Sequence, residues 1–276
     1  MNKPLAISPV TAIDRGLTIL EVVSQSKKGL TNSEVSRKMK LPKSTTSYIL
    51  RTLKQRGYLH KDDNSGKYRL TAKLFSVGSQ ALRGLDLHDI VLPILQELVD
   101  KTGLTGHLAI LDGYDVVYIE KIDKPGFIMM NTWVGLRLDV HCTAVGKVLI
   151  AYLPQANIEE IIRERGLAKH TPQTITSPSQ LFSELARVRA AGYALDKSEN
   201  SFDVKCIAAP IFDTEGKVKA AVGLTGTESQ MRLHKLKDYV RLIKQAAKSI
   251  SRQLGYDSTG HRSGLSERIL DRTTAG

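Results

Sequence analysis

The chain has 276 residues, 41% of them hydrophobic, with 40 Lys+Arg against 28 Asp+Glu and a formal net charge of +12. That length fits one large domain or two ordinary ones with real cores, and two is the expectation. No run approaches the roughly 18 consecutive apolar residues of a membrane helix. Met1 to Pro9 lacks the basic-then-apolar layout of a secretory leader, so a soluble cytoplasmic protein with no membrane partner is expected. Cys142 and Cys206 lie far apart without CxxC spacing, which argues against a disulfide framework or a zinc ribbon.

The charge is unevenly placed. Residues 1–80 carry 15 Lys+Arg against 5 Asp+Glu, a net of +10, whereas residues 81–276 carry 25 against 23, a net of +2. A compact basic module attracts a polyanion, because neutralised phosphates release condensed counterions. A merely solvated basic face is the bland alternative.

Along that module, Ile13, Leu17, Leu20 and Val23 recur at helical spacing, ending near Lys27-Lys28-Gly29. Thr31-Asn32-Ser33-Glu34 reads as a capping box opening a second helix with Val35 and Met39. Lys40-Leu41-Pro42 makes a sharp break before a third helix running to about Arg56. Gly57 stops it, and Tyr58 to Lys61 then faces Lys67 to Leu70 across a turn-rich Asp62 to Gly66, a two-stranded wing. Further on, Leu87, Ile90, Val91, Ile94, Leu95 and Leu98 form an apolar stripe on a helix that Pro93 must kink or restart. It is read as a linker helix over 81–102, able to pair with its copy.

From about Gly103 the pattern mixes strands and helices. Strands are expected at His107 to Leu111, Val116 to Lys121, Val204 to Ile211 and Val218 to Thr225, with Asp112 to Asp115 as a hairpin turn. Helices are expected near Ala144 to Tyr152, Ile158 to Glu164, Gln180 to Ala191 and Glu228 to Leu254. The class is α+β, with one mainly antiparallel sheet in residues 103–254. Residues 255–276 are polar, aperiodic and expected to be disordered.

In the third helix, Thr46, Ile49, Leu50 and Leu53 share one side and Ser44, Ser47, Tyr48, Arg51 and Gln55 the other. Hydrogen-bonding side chains near a helix N-terminus are what meets base edges in a major groove, while free amides favour phosphate. Lys43 and Arg51 are the phosphate or guanine candidates, and Ser44, Ser47 and Tyr48 the specificity set. Thr31, Thr45 and the wing residues Lys61, Lys67 and Arg69 complete the expected contacts to a double-stranded operator.

The segments TAIDRGLTILEVV (11–23) and LTNSEVSRKMKLPKSTTSYILRTLKQRGYLHKDDNSGKYRLTAKLFSVG (30–78) resemble the winged helix-turn-helix of the IclR family of bacterial transcription regulators. HCTAVGKVLIAYLP (141–154) and GYALDKSENSFDVKCIAAPIFDTEGKVKAAVGLTG (192–226) resemble that family's effector domain. Three matches in chain order are far more specific than one. The resemblance implies residues 1–80 as the DNA-binding domain, residues 103–254 as a GAF-like α/β effector domain, and a dimer or tetramer. The sequence departs from the family at Lys40 and Asp203, where glycine is usual, and at Tyr48, where arginine is frequent.

By the same resemblance the pocket is formed by Met130, Leu138, Ala144, Val145, Asp196, Cys206, Gly223 and Thr225. Amides at the helix start around Thr143 to Gly146 suit a carboxylate effector. Gly223 stands where other members present serine, which implies a roomier pocket for a larger, aromatic or sugar acid. Asp196 reads equally well as a turn residue, and Cys206 as a small buried side chain.

No cofactor is implied, and the seven histidines show no HxxxH or HxH spacing, so no metal site is expected. His141 beside Cys142 suggests a dyad, but neighbours on a strand face opposite ways, so no catalytic residue is assigned. The rival readings are a small-acid-converting enzyme tethered to DNA by its basic module, and an architectural DNA protein without an effector.

Overall fold

The computed structural model describes residues 10–83, 87–124 and 130–256. The chain divides into two compact units, Met1–Asp86 and Leu87–Gly276.

In the first unit, helices α1 (Thr11–Ser24), α2 (Asn32–Met39) and α3 (Lys43–Gln55) precede strands β1 (Leu59–Lys61) and β2 (Tyr68–Leu70) and helix α4 (Ala72–Arg83). The capping box at α2 forms in full: the Thr31 hydroxyl accepts from the Glu34 amide and the Glu34 carboxylate accepts from the Thr31 amide at 2.7 Å. β1 and β2 pair antiparallel, and Leu30 bridges to Tyr68, tying the wing to the start of α2. Ile19, Val23, Leu30, Val35, Leu50, Leu59 and Tyr68 make the core.

Two expectations change here. α1 ends at Ser24, and its inward face is Ile19 and Val23, whereas Val10, Ile13 and Leu17 form an outward stripe exposed by 63%, 63% and 57%. Its apolar residues occupy two faces, so periodicity alone mixed a buried stripe with an exposed one. The segment after the wing, to which the sequence pattern assigns no element before 81, is helix α4.

The second unit opens with α5 (His88–Thr102), which runs through Pro93 without restarting. There follow β3 (Thr105–Asp112), β4 (Asp115–Ile122), β5 (Arg137–Asp139), α6 (Ala144–Ala151), α7 (Gln155–Arg165), α8 (Pro178–Ala191), β6 (Ala194–Lys197), β7 (Val204–Phe212), β8 (Val218–Thr227) and α9 (Leu233–Gln253). The six strands form one antiparallel sheet in the order β5-β4-β3-β8-β7-β6. The architecture is α+β, as the sequence pattern predicts.

Because side chains alternate across a strand, the sheet has two distinct faces. Ala109, Ala208 and Ala221 pack with Ala144, Val145 and Val148 of α6. On the opposite face a Cβ at Gly106 would come within 2.8 Å of Leu95 and Val99, so α5 packs tightly there, with Leu87, Val91, Leu95 and Leu98 of its stripe buried and Ile90 and Ile94 half-buried. Burying residues the size of Leu95 and Val91 contributes roughly 1.5–3 kcal/mol each. The tail from 257 onward, expected to be disordered, lies outside the described residues. Tyr256 itself stacks on Phe212 with ring centroids 5.0 Å apart.

Candidate functional site

On α3, Thr46 and Leu50 are buried, and the Thr46 hydroxyl donates back to the Pro42 carbonyl at 3.1 Å. This anchors the first turn and leaves Lys43, Ser44, Ser47, Tyr48 and Arg51 exposed on the other side, with Thr45 half-buried. Tyr48 is 65% exposed, and the Arg51 guanidinium lies 5.5 Å from its ring centroid, so the two form one projecting unit. On the wing Arg69 is exposed, while Lys61 and Lys67 are half-buried along their stems. The Lys61 ammonium sits 5.8 Å from the Tyr68 ring. Thr31 differs from expectation: its hydroxyl is engaged with Glu34, donating to that carboxylate at 2.9 Å, which leaves it little capacity for phosphate.

The turn between α2 and α3 is made by Lys40, in the left-handed region at φ 52°. Asp203, the other position where glycine is usual in the resembled family, has φ 58°. Each non-glycine residue there costs roughly 1 kcal/mol.

In the second unit, register aligns three of the expected effector residues on the face below α6. Asp196 of β6 pairs with Cys206 of β7, and Cys206 with Thr225 of β8, so three polar side chains form a row across adjacent strands. The Thr225 hydroxyl lies 3.3 Å from the Cys206 sulfur and 3.4 Å from His107 Nδ1, and His107 Nε2 reaches the Thr132 hydroxyl at 2.8 Å. Met130 is buried nearby and its carbonyl accepts from Lys121 Nζ at 2.8 Å. Leu138, on β5 opposite Val116, packs into the core beneath α6.

Burial pushes the Asp196 carboxyl up to about 7, and pushes the Cys206 thiol well up. Burial, with the Lys121 ammonium, holds the His107 imidazole down at about 3, so it is neutral. Asp196 is also a turn residue, since its Oδ1 accepts from the Glu199 amide at 2.7 Å. Glu199 in turn holds the fully buried Lys147 ammonium at 2.6 Å, and Glu184 completes the cluster at 3.3 Å.

Two details bear on the expected pocket. A Cβ at Gly223 would come 2.9 Å from Val145 Cγ1, so the Val145 side chain of α6 occupies the space beside Gly223. The Gly146 amide is taken by the Thr143 hydroxyl at 3.2 Å, which narrows the expected anion site to the amides of Ala144 and Val145. His141 and Cys142 lie in the turn before α6 and not on a strand, so strand alternation does not separate them.

Two family models match the chain in order: the IclR helix-turn-helix domain over residues 12–63 and the bacterial transcriptional regulator IclR C-terminal domain over residues 79–252. The chain belongs to the IclR family of bacterial transcriptional regulators. It is 37% identical to the HTH-type transcriptional regulator XynR of Escherichia coli, over 90% of this chain and 98% of that one. It is 29% identical to the transcriptional repressor IclR of the same organism, over 91% of this chain and 92% of that one. A solved IclR homologue from Microbacterium hydrocarbonoxydans, complexed with 4-hydroxybenzoate, superposes with a TM-score of 0.77 at 26% identity, over 88% of this chain and 98% of that one.

As a member of this family the protein is a DNA-binding transcriptional regulator of the effector-controlled type. Sequence reasoning missed His107, Tyr118 and Thr132 in the polar row. The available signal was a histidine sharing a strand face with Thr105 and Ala109 on β3, a polar residue at a core position. The imidazole of His107 stacks on Tyr118 with centroids 4.2 Å apart. No helix among the described residues is long and apolar enough to cross a membrane.

Proposed function

We propose that the protein is a cytoplasmic, homo-oligomeric repressor whose affinity for a palindromic operator is set by a small organic acid bound between the Asp196–Cys206–Thr225 row and the start of α6. The observation that carries this reading is the row itself, aligned by strand register on the sheet face that packs under α6, with burial pushing its Asp196 carboxyl up to about 7. A protonated Asp196 can donate to a carboxylate that the helix N-terminus attracts. The aromatic acid bound to the Microbacterium homologue supports an aromatic member of this ligand class.

The exposed face of α3, flanked by the basic wing, supports major-groove binding, with half-site centres about 34 Å apart if two recognition helices use successive turns. The outward stripe of Val10, Ile13 and Leu17 supports self-association, because contiguous exposed apolar surface marks interaction sites. A regulator without catalysis is supported by the Cys206 thiol, held protonated by burial and so a poor nucleophile.

The test is binding to the DNA upstream of the chain's own coding region at several salt concentrations, with and without a panel of acids. Sequence-selective, salt-steep binding that one acid shifts is the expected outcome. Binding indifferent to sequence, or to every acid that stabilises the protein, would overturn the reading.

A further inference from the structure

Four metal-ligating side chains converge beside the turn that leads into α6, and the effector reading uses none of them. Donor atoms of Asp139, His141, Cys142 and His170 all lie within 4.8 Å of one another. We propose that these four residues form a binding site for a divalent transition metal, zinc by its donor set, that clamps the β5–α6 turn to the loop between α7 and α8.

The chemistry selects the metal. Two imidazoles, a carboxylate and a thiol that gives up its proton to solvent as the metal binds supply the N, S and O donors zinc takes in four-coordinate sites, whereas calcium and magnesium take oxygen. In a tetrahedral zinc site donor atoms stand on the order of 3.5 Å apart, so the present cluster needs only side-chain adjustment to close. The hydrogen bond of 2.7 Å between His170 Nε2 and Asp139 Oδ2 would open to admit the ion.

The second observation is the support around the cluster. His141 Nε2 lies 2.9 Å from the Ala168 carbonyl, which can only accept, so that nitrogen carries the hydrogen and Nδ1 keeps the lone pair a metal needs. A backbone carbonyl on the far nitrogen is the arrangement that orients metal-binding histidines. The Thr143 hydroxyl donates to the Asp139 carbonyl at 3.0 Å, fixing the turn. On the other side, Thr174 Oγ1 accepts from the amides of His170 and Thr171, and the Thr171 and Thr174 hydroxyls donate to the carbonyls of Ser198 and Glu199 at 2.7 and 2.6 Å. Both ligand-bearing segments are therefore held before any ion arrives. His141 and Cys142 are buried while Asp139 and His170 are partly exposed, which leaves a path from solvent. The expectation of no metal site rested on histidine spacing along the chain, and that spacing cannot register a fourth ligand delivered by a distant loop.

The experiment needs neither DNA nor acid, so its result is independent of the effector reading. Full-length protein is stripped with chelator and titrated with Co²⁺, then with Zn²⁺. One Co²⁺ per chain is expected, with thiolate-to-cobalt charge transfer and intense tetrahedral d–d absorption that zinc abolishes. Cys142→Ser should remove the charge-transfer band, and His170→Ala, at a part-exposed position that leaves the core intact, should weaken zinc binding by about 100-fold or more. Should Cys142→Ser fail to fold, His170→Ala and Asp139→Asn decide. Absence of stoichiometric uptake, a band that survives in folded Cys142→Ser, or unchanged affinity in both surface variants would overturn the site.

Discussion

Single positions hold most of what departs from the family pattern, and their consequences are local and measurable. Lys40 occupies a left-handed helix terminus where glycine is unstrained. Lys40→Gly should therefore raise stability by about 0.5–1 kcal/mol in chemical denaturation, the relief of backbone strain exceeding the added unfolded-state entropy. Unchanged or lowered stability would mean that the lysine makes compensating contacts. Lys147 is the opposite case: fully buried, it pairs with the buried Glu199, while Glu184 keeps Arg187 as a second partner, so Lys147→Met should cost about 3–5 kcal/mol by leaving the Glu199 carboxylate without its counter-ion. Asp196 gives a pH signature. Burial pushes its folded carboxyl up to about 7 from the usual 3.8, so the folded state binds the extra proton between those values and stability falls as pH rises through that window. Asp196→Asn removes this slope while keeping the acceptor for Glu199. The variant should match the wild type near pH 4 and exceed it by on the order of 3–4 kcal/mol above pH 7. Comparing the two proteins cancels His107, whose depressed imidazole acts in the opposite direction on the acid side. A difference independent of pH would show that Asp196 is ionised throughout.

Elements were legible where a local rule fixes them. The capping box of α2, the break at Pro42 and the turn-rich wing each carry their own signal, and all appear. α1 and α4 were misread or missed, because both carry apolar residues on faces that the described structure leaves exposed, such as Ile13, Leu17 and Phe75. β5 and β6, of 3 and 4 residues, are too short for alternation to show. The effector-side row was visible only through resemblance, since Asp196, Cys206 and Thr225 meet by strand register and not by spacing. For the DNA-binding elements, the exposed faces separate two roles. Arg69→Ala on the wing should weaken operator and nonspecific DNA alike and lower the slope of log affinity against log salt by about 0.9, one phosphate contact. Tyr48→Ala on α3 should leave that slope unchanged and alter preference at one base pair by roughly 1–3 kcal/mol. Binding isotherms on operator and scrambled duplexes at several salt concentrations distinguish these outcomes, and equal effects on both duplexes for Tyr48→Ala would remove it from the specificity set.

At the scale of the whole molecule, the charge asymmetry assigns the two units different partners. The first unit carries nearly all the excess positive charge and meets a polyanion; the second is close to neutral and can enclose a small acid without a field that captures every anion. If the acid and the operator act on one protein through a common equilibrium, their coupling must be reciprocal. An acid that weakens operator binding by some factor must itself bind more weakly, by the same factor, to the protein–operator complex. Typical couplings are about 5–150-fold, large enough to measure from both directions. We expect acid titrations of free and operator-saturated protein to differ by the factor seen in operator titrations with and without acid. Asp196→Asn should shrink both factors together if the carboxyl touches the acid in only one of the two states, because a ligand shifts an equilibrium only by its differential affinity. Unequal factors in the two directions would mean that the acid changes oligomerisation as well as DNA affinity, which repeating both titrations at several protein concentrations would expose.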